Sequence, residues 1–204
     1  MAHTDNYQIQ LQQAKTRFLT YDQEALIRKM KLEADEAYLY VSLLAQRVRI
    51  CRRSGDMQRL TDFGWVCDDR HSLVMTLLDL ICDSREDRCM SGQWKAMTAF
   101  GLMFHQNLAE NSRDPWAARF ETEADLFRKA CLSLGGQPFP QGDIAHILEL
   151  IPGLPVVVQL WFGDEEFPAS LRFLWDKNSL QYLKYETMWY AKALILDRLA
   201  EQMK

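Results

Sequence analysis

Apolar and polar positions change period several times along the chain, and each change marks an element. Ile9, Leu11, Ala14, Phe18 and Leu19 form a helical stripe over residues 6–19. Asp22 is placed to cap a second short helix carrying Ala25, Leu26, Ile27 and Met30, with Gln23 and Glu24 in its first turn. After Glu36 the period drops to two. Leu39, Val41 and Leu43 alternate with Tyr38, Tyr40 and Ser42, which predicts a strand with one apolar and one aromatic face. Residues 47–51 alternate basic with apolar side chains, and Ala45-Gln46 is the expected tight connection between the two strands. Ser54-Gly55-Asp56 is a turn signal leading to a third short strand over residues 57–60. Arg47, Arg49, Arg52, Arg53 and Arg59 give this meander either a solvated basic face or an anion-binding one.

Residues 71–82 are apolar almost all round, the pattern of a central, buried helix. Residues 84–88 form a charged loop, and 92–97 read as a short strand or a loop before the apolar segment Phe100 to Phe104. Asp114 is a good N-cap with Pro115 at the first helical position, and Trp116, Phe120, Ala124, Phe127, Ala130 and Cys131 track one face of a single helix. Acids come early in it and bases late, as the helix dipole prefers, and Gly135-Gly136 ends it. A Pro/Gly loop over 137–143 precedes a strand over 144–151. Pro152-Gly153 then turns the chain into two β-prone runs, 154–161 and 170–176, that flank an acidic turn. Met188, Ala191, Ile195 and Leu199 mark a long last helix from about residue 180 to 203, with Lys192 and Arg198 on its other side. Strands gather in hairpins rather than alternating with single helices. The expected fold is α+β: an antiparallel sheet of hairpins packed with helices and closed by a long C-terminal helix. It is expected to form one domain over residues 1–204, with residues 1–19 as an N-terminal helical arm.

Six Trp, seven Tyr and ten Phe supply bulky core material, which excludes long disorder. A net charge of −4 argues against a nucleic-acid partner, which calls for a basic surface. No apolar run approaches the roughly 18 residues of a membrane span, and residues 1–13 are too polar for a secretory signal. A cytoplasmic protein with neither membrane nor nucleic acid as partner is the expectation. The five cysteines contain no Cys-x-x-Cys pair, so reduced thiols are expected and only a metal site gathered from distant cysteines stays open. His71, His105 and His146 are isolated, and the chain has no nucleophile elbow, phosphate loop, dinucleotide fingerprint or His-Glu-x-x-His.

Candidate chemistry therefore concentrates in the turn. Asp164, Glu165 and Glu166 stand in a row between Gly163 and Pro168, framed by Trp161, Phe162 and Phe167. Adjacent carboxylates repel one another and resist desolvation. Three readings are open. The acids are solvated turn residues. Or, with Asp143 nearby, they orient a cationic or hydroxyl group of a small molecule or partner protein against the rings of Trp161, Phe167, Trp94 and Trp175. Or they hold a divalent cation or act as general base in a metal-assisted hydrolase. A non-catalytic binding or accessory module is preferred; no residue is assigned a catalytic role, no metal ligand is assigned and no cofactor is specified. Homodimerisation suits the aromatic content.

One further pattern bears on the fold. Trp161-Phe162-Gly163-Asp164-Glu165-Glu166-Phe167-Pro168, the apolar run ending in Asp176, Tyr182-Leu183 and a closing helix with Glu186 near its start resemble a bacterial and archaeal family called domain of unknown function 3786. Ser91-Gly92-Gln93-Trp94 is similar to that family's Gly-x-Trp step, and Gly142-Asp143 to its Gly-Asp step. Leu43-Leu44-Ala45-Gln46 stands where the family tends to have a Leu-Gly turn, and here the sequence departs from it. The resemblance spans most of residues 20–200 and is most specific over 154–204. Some relatives carry a cysteine-rich iron–sulfur segment; this chain has none, so the resemblance implies no such cofactor, and it implies no activity.

Overall fold

Where the apolar period is two, the computed structural model forms antiparallel strands, and where it is near 3.6 it forms helices; it describes residues 2–100 and 114–204. The described elements are α1 (Ala2–Leu19), α2 (Gln23–Met30), β1 (Glu33–Ala34), β2 (Tyr38–Leu43), β3 (Gln46–Cys51), β4 (Met57–Thr61), β5 (Gly64–Cys67), α3 (His71–Asp83), β6 (Trp94–Ala96), α4 (Pro115–Thr122), α5 (Ala124–Ser133), β7 (Gln137–Pro138), β8 (Ile144–Ile151), β9 (Leu154–Trp161), β10 (Ser170–Asp176) and α6 (Tyr185–Gln202). The strands divide between two five-stranded sheets, ordered β1-β2-β3-β4-β5 and β6-β10-β9-β8-β7. The fold is α+β with antiparallel hairpin sheets and a closing C-terminal helix. Contacts divide the chain into two compact units, Met1–Cys89 with Gln181–Leu194 and Met90–Leu180 with Ile195–Lys204.

In the first unit, Asp22 caps α2 as its position predicts, its carboxylate accepting from the backbone N–H groups of Glu24 and Ala25. The β2–β3 register pairs Leu39 with Ile50 and Val41 with Val48, which puts Leu39, Val41, Leu43, Val48, Ile50 and Met57 on one buried face. The connecting turn is Leu44-Ala45, one residue earlier than the pattern suggests. Both residues adopt left-handed φ, 47° and 56°. A two-residue hairpin turn that matches strand twist needs φ > 0 at both positions, so the turn keeps its shape without glycine. Two short strands, β1 and β5, carry too few alternating residues to announce themselves. Helix α3 is buried on every side from Leu73 to Cys82 apart from the half-buried Met75. Its Asp79 accepts from Thr187 of α6 and from Arg17 of α1, while Asp83 takes Arg17, Tyr21 and Lys184.

In the second unit, β8 and β9 are covered on both faces, and their near-continuous apolar runs follow from that. Residues 92–97 resolve into the short strand β6, paired with β10; the segment 101–104 and His105 lie outside the described residues. The helix expected from Pro115 to Cys131 is two helices, with Glu123 at the break (φ −109°, ψ 38°). A physical reason lies in Phe120 and Phe127, whose rings stack at 4.6 Å between centroids. Seven residues along a straight helix would separate them by about 10 Å of rise. The bend brings both rings into one core. Past Gly135 (φ 77°), a Cβ at Gly136 would meet the Cys131 carbonyl oxygen at 2.5 Å, so glycine is required for the return into β7. The last helix starts at Tyr185 rather than near residue 180, after a short 3₁₀ turn at Ser179–Gln181. Arg198 is buried rather than on the solvent side and pairs with Glu201.

Candidate functional site

Strands β9 and β10 form the hairpin that the sequence predicts, in register from Trp161 opposite Ser170 to Val156 opposite Trp175. The acidic turn closes its tip. Its backbone is fixed by carboxylates. The Asp164 N–H donates to the Phe167 carbonyl at 2.9 Å. Asp164 Oδ1 accepts from the N–H groups of Glu166 and Phe167 at 2.8 and 2.7 Å. These amides hold the Asp164 carboxyl below the usual aspartate pKa, whereas a general acid needs the opposite shift. Two more carboxylates reach the turn from elsewhere: Asp143 Oδ2 accepts from Phe162 N–H and Glu121 Oε1 from Gly163 N–H, each at 2.7 Å. A Cβ on Gly163 would stand 2.8 Å from the Ala169 nitrogen, so the chain closes here only with glycine.

The rings around the tip face outward. Trp161 is 39% exposed, Phe162 43% and Phe167 67%. Glu165 and Glu166 are exposed, and their side-chain carboxylates form no ion pair or hydrogen bond among the described residues. Between the turn and α4 lies an open cleft of about 350 Å³ lined by Asp114, Ala118, Glu121, Asp164, Phe167 and Ala169 among others. The structure thus gathers Asp143, Trp161, Asp164, Glu165, Glu166 and Phe167 at one end of the sheet. Trp175 and Trp94 lie elsewhere. Trp175 is completely buried, and Trp94, opposite Asp176 and packed edge-on against Phe139, sits six residues along β10 from the tip, about 20 Å away.

Glu121 is the site residue that sequence reading missed. In the sequence it is one of several acids early in a helix, and nothing in its spacing links it to a turn 42 residues on. Among the described residues no group of three or more His, Cys, Asp or Glu side chains is placed to hold a metal ion. Of the three turn acids, Asp164 is engaged by the turn's own amides. All five cysteines are free thiols, and burial pushes Cys82 and Cys131 up to about 12.

At the far end of the hairpin, Asp176 is buried and accepts from Ser91 N–H and Oγ, Gly92 N–H and Asn178 N–H. Burial alone would raise its pKa, but these donors outweigh it and hold the carboxyl below the usual range. Residues 22–198 match the family described as Domain of unknown function (DUF3786). The chain belongs to this family. Comparison with curated proteins and with solved structures finds no match to either. The family-like steps of DUF3786 meet in space: Ser91-Gly92 binds Asp176, and Asp143 of Gly142-Asp143 binds the Phe162 amide beside Gly163. In this member two of the resembling aspartates, Asp143 and Asp176, hold backbone. No helix among the described residues is long and apolar enough to cross a membrane.

Proposed function

We propose that the protein is a non-catalytic accessory module that captures a cationic group, the side chain of a lysine or arginine on a partner protein or a small amine, at the β9–β10 tip. The observation that carries this reading is the cleft between α4 and the turn. Asp114, Glu121, Asp164 and Phe167 line it, and the same hairpin tip carries the exposed Glu165, Glu166 and Trp161. Its volume of about 350 Å³ lies within the range for small-ligand sites. The turn is held by several hydrogen bonds, so little ordering entropy is lost on binding. A cytoplasmic setting suits the free thiols.

The test is calorimetric titration of the whole chain with a Lys-Leu alternating hexapeptide and with propylamine. Binding that weakens about tenfold in Phe167→Ala with Glu165→Gln and Glu166→Gln supports the reading. Absence of heat at millimolar peptide, or equal affinity in the variant, overturns it. The competing reading, a metal-assisted hydrolase using Asp164, Glu165 and Glu166, is less well supported because Asp164 is engaged by turn amides. Thermal shift with Mg²⁺, Mn²⁺, Ca²⁺ and Zn²⁺ separates the two: a shift abolished by the same acid-to-amide changes would favour the metal.

A further inference from the structure

The second face of the first sheet is open to solvent and differs in chemistry from the acidic tip. Pairing of Tyr40 with Arg49, Ser42 with Arg47, Arg49 with Gln58 and Leu60 with Trp65 sets all these side chains on the face opposite the core. The Arg49 guanidinium lies 3.9 Å from the Tyr38 ring centroid and 4.4 Å from that of Trp65, so it is sandwiched between two aromatic rings. Its Nε donates to Gln58 Oε1 at 2.7 Å. Arg49 forms no ion pair with a carboxylate among the described residues. The nearby acids are engaged: Glu33 pairs with Arg47, and Asp35 accepts from the Ala37 and Tyr38 amides and the Tyr40 hydroxyl. Beside this charge, Leu60 is exposed, and Phe63 at the β4–β5 turn is 99% exposed.

A guanidinium held by stacking, by the Gln58 amide and by the Tyr40 hydroxyl, with the Asp35 carboxylate within electrostatic reach, has lost its rotamer freedom before any ligand arrives, and its fork matches a carboxylate. Leu60, two residues along β4 from the Gln58 that pairs with Arg49, and the fully exposed Phe63 in the turn after that strand supply apolar contact. We propose that this face docks an acidic segment of a partner protein, with Arg49 receiving a carboxylate and Leu60 and Phe63 receiving an apolar side chain farther along the same segment. Single-stranded nucleic acid fits less well. The Tyr38 and Trp65 faces that bases would stack on are occupied by Arg49, and the net charge of −4 opposes a polyphosphate. The proposal is independent of the cation site at the acidic tip.

The experiment is titration of the full chain with a Glu-Leu alternating hexapeptide, read by the side-chain Nε–H resonance of Arg49, beside a parallel titration with an oligothymidylate ten-mer. Expected are sub-millimolar peptide binding, a loss of about tenfold in Arg49→Gln, and a several-fold loss in Phe63→Ser, whose exposed position leaves folding untouched. Lys-Leu peptide binding is expected to be unchanged in both variants, so failure here and failure at the acidic tip are read separately. No binding at millimolar Glu-Leu peptide, equal affinity in both variants, or tighter binding of the oligothymidylate would overturn the proposal. So would concentration-dependent self-association that Arg49→Gln abolishes, which would reassign the face to a second copy of the chain.

Discussion

Two tryptophans on one hairpin carry different work because of where their strands place them. Trp175 lies at full burial in the β-sheet core of the second unit, while Trp161 ends β9 with 39% of its surface exposed. Truncating a buried tryptophan removes its transfer energy and leaves a cavity, about 3–5 kcal/mol together. Trp175→Ala is expected to cost that much in denaturant unfolding. Trp161→Ala is expected to cost about 1–2 kcal/mol, since part of its ring already meets water. Equal losses would mean that the tip rings are core, and would remove the ring surface from the proposed binding tip.

Among the elements, the β2–β3 hairpin shows strain that its sequence does not advertise. Leu44 and Ala45 both hold left-handed φ, and each such residue costs about 1–2 kcal/mol without a glycine. Leu44 is buried, so its side chain earns its place. Ala45 is exposed and has no such compensation. Ala45→Gly relieves the left-handed strain and adds about 0.4–1 kcal/mol of unfolded-chain entropy to be lost. The expected net is a stabilisation of about 0.5–1 kcal/mol, visible as a higher denaturation midpoint with unchanged slope. A lower midpoint would show that the turn is unstrained. The α4–α5 break belongs to the same scale: it trades helix hydrogen bonds at Glu123 for the stack of Phe120 on Phe127.

At the scale of the whole molecule, proton binding sets the stability profile. Burial keeps the His71 and His146 pKa values below 6.5, so the unfolded chain takes up their protons first as pH falls. Lys15 and Ser54 hold Asp56 low. Asp83 is raised by burial but held low overall by Lys184, Tyr21 and Arg17, and Asp176 by the Ser91, Gly92 and Asn178 donors. For each carboxylate the folded pKa lies below the unfolded one, so its stabilisation is present above about pH 4 and is lost as pH falls through the folded value. Tm is therefore expected to start falling below about pH 6.5 and to fall further below about pH 4. A Tm that rises on acidification from pH 7 to 5 would contradict these assignments.

What the sequence determined by itself is whatever depends on neighbours along the chain: the Asp22 cap, the alternation of Leu39, Val41 and Leu43, the all-apolar α3, and the β9–β10 hairpin with its acidic tip. Those signals are local, because hydrophobic period and capping act over a few residues. Only the tertiary structure decided that the strands form two sheets, that Glu121 and Asp143 pin the tip, that Asp164 turns back to its own amides, and that Trp175 and Trp94 stand away from the other rings. Each of these depends on residues tens of positions apart meeting in space. A carboxylate's role follows from which amide it meets, and that partner is chosen by packing.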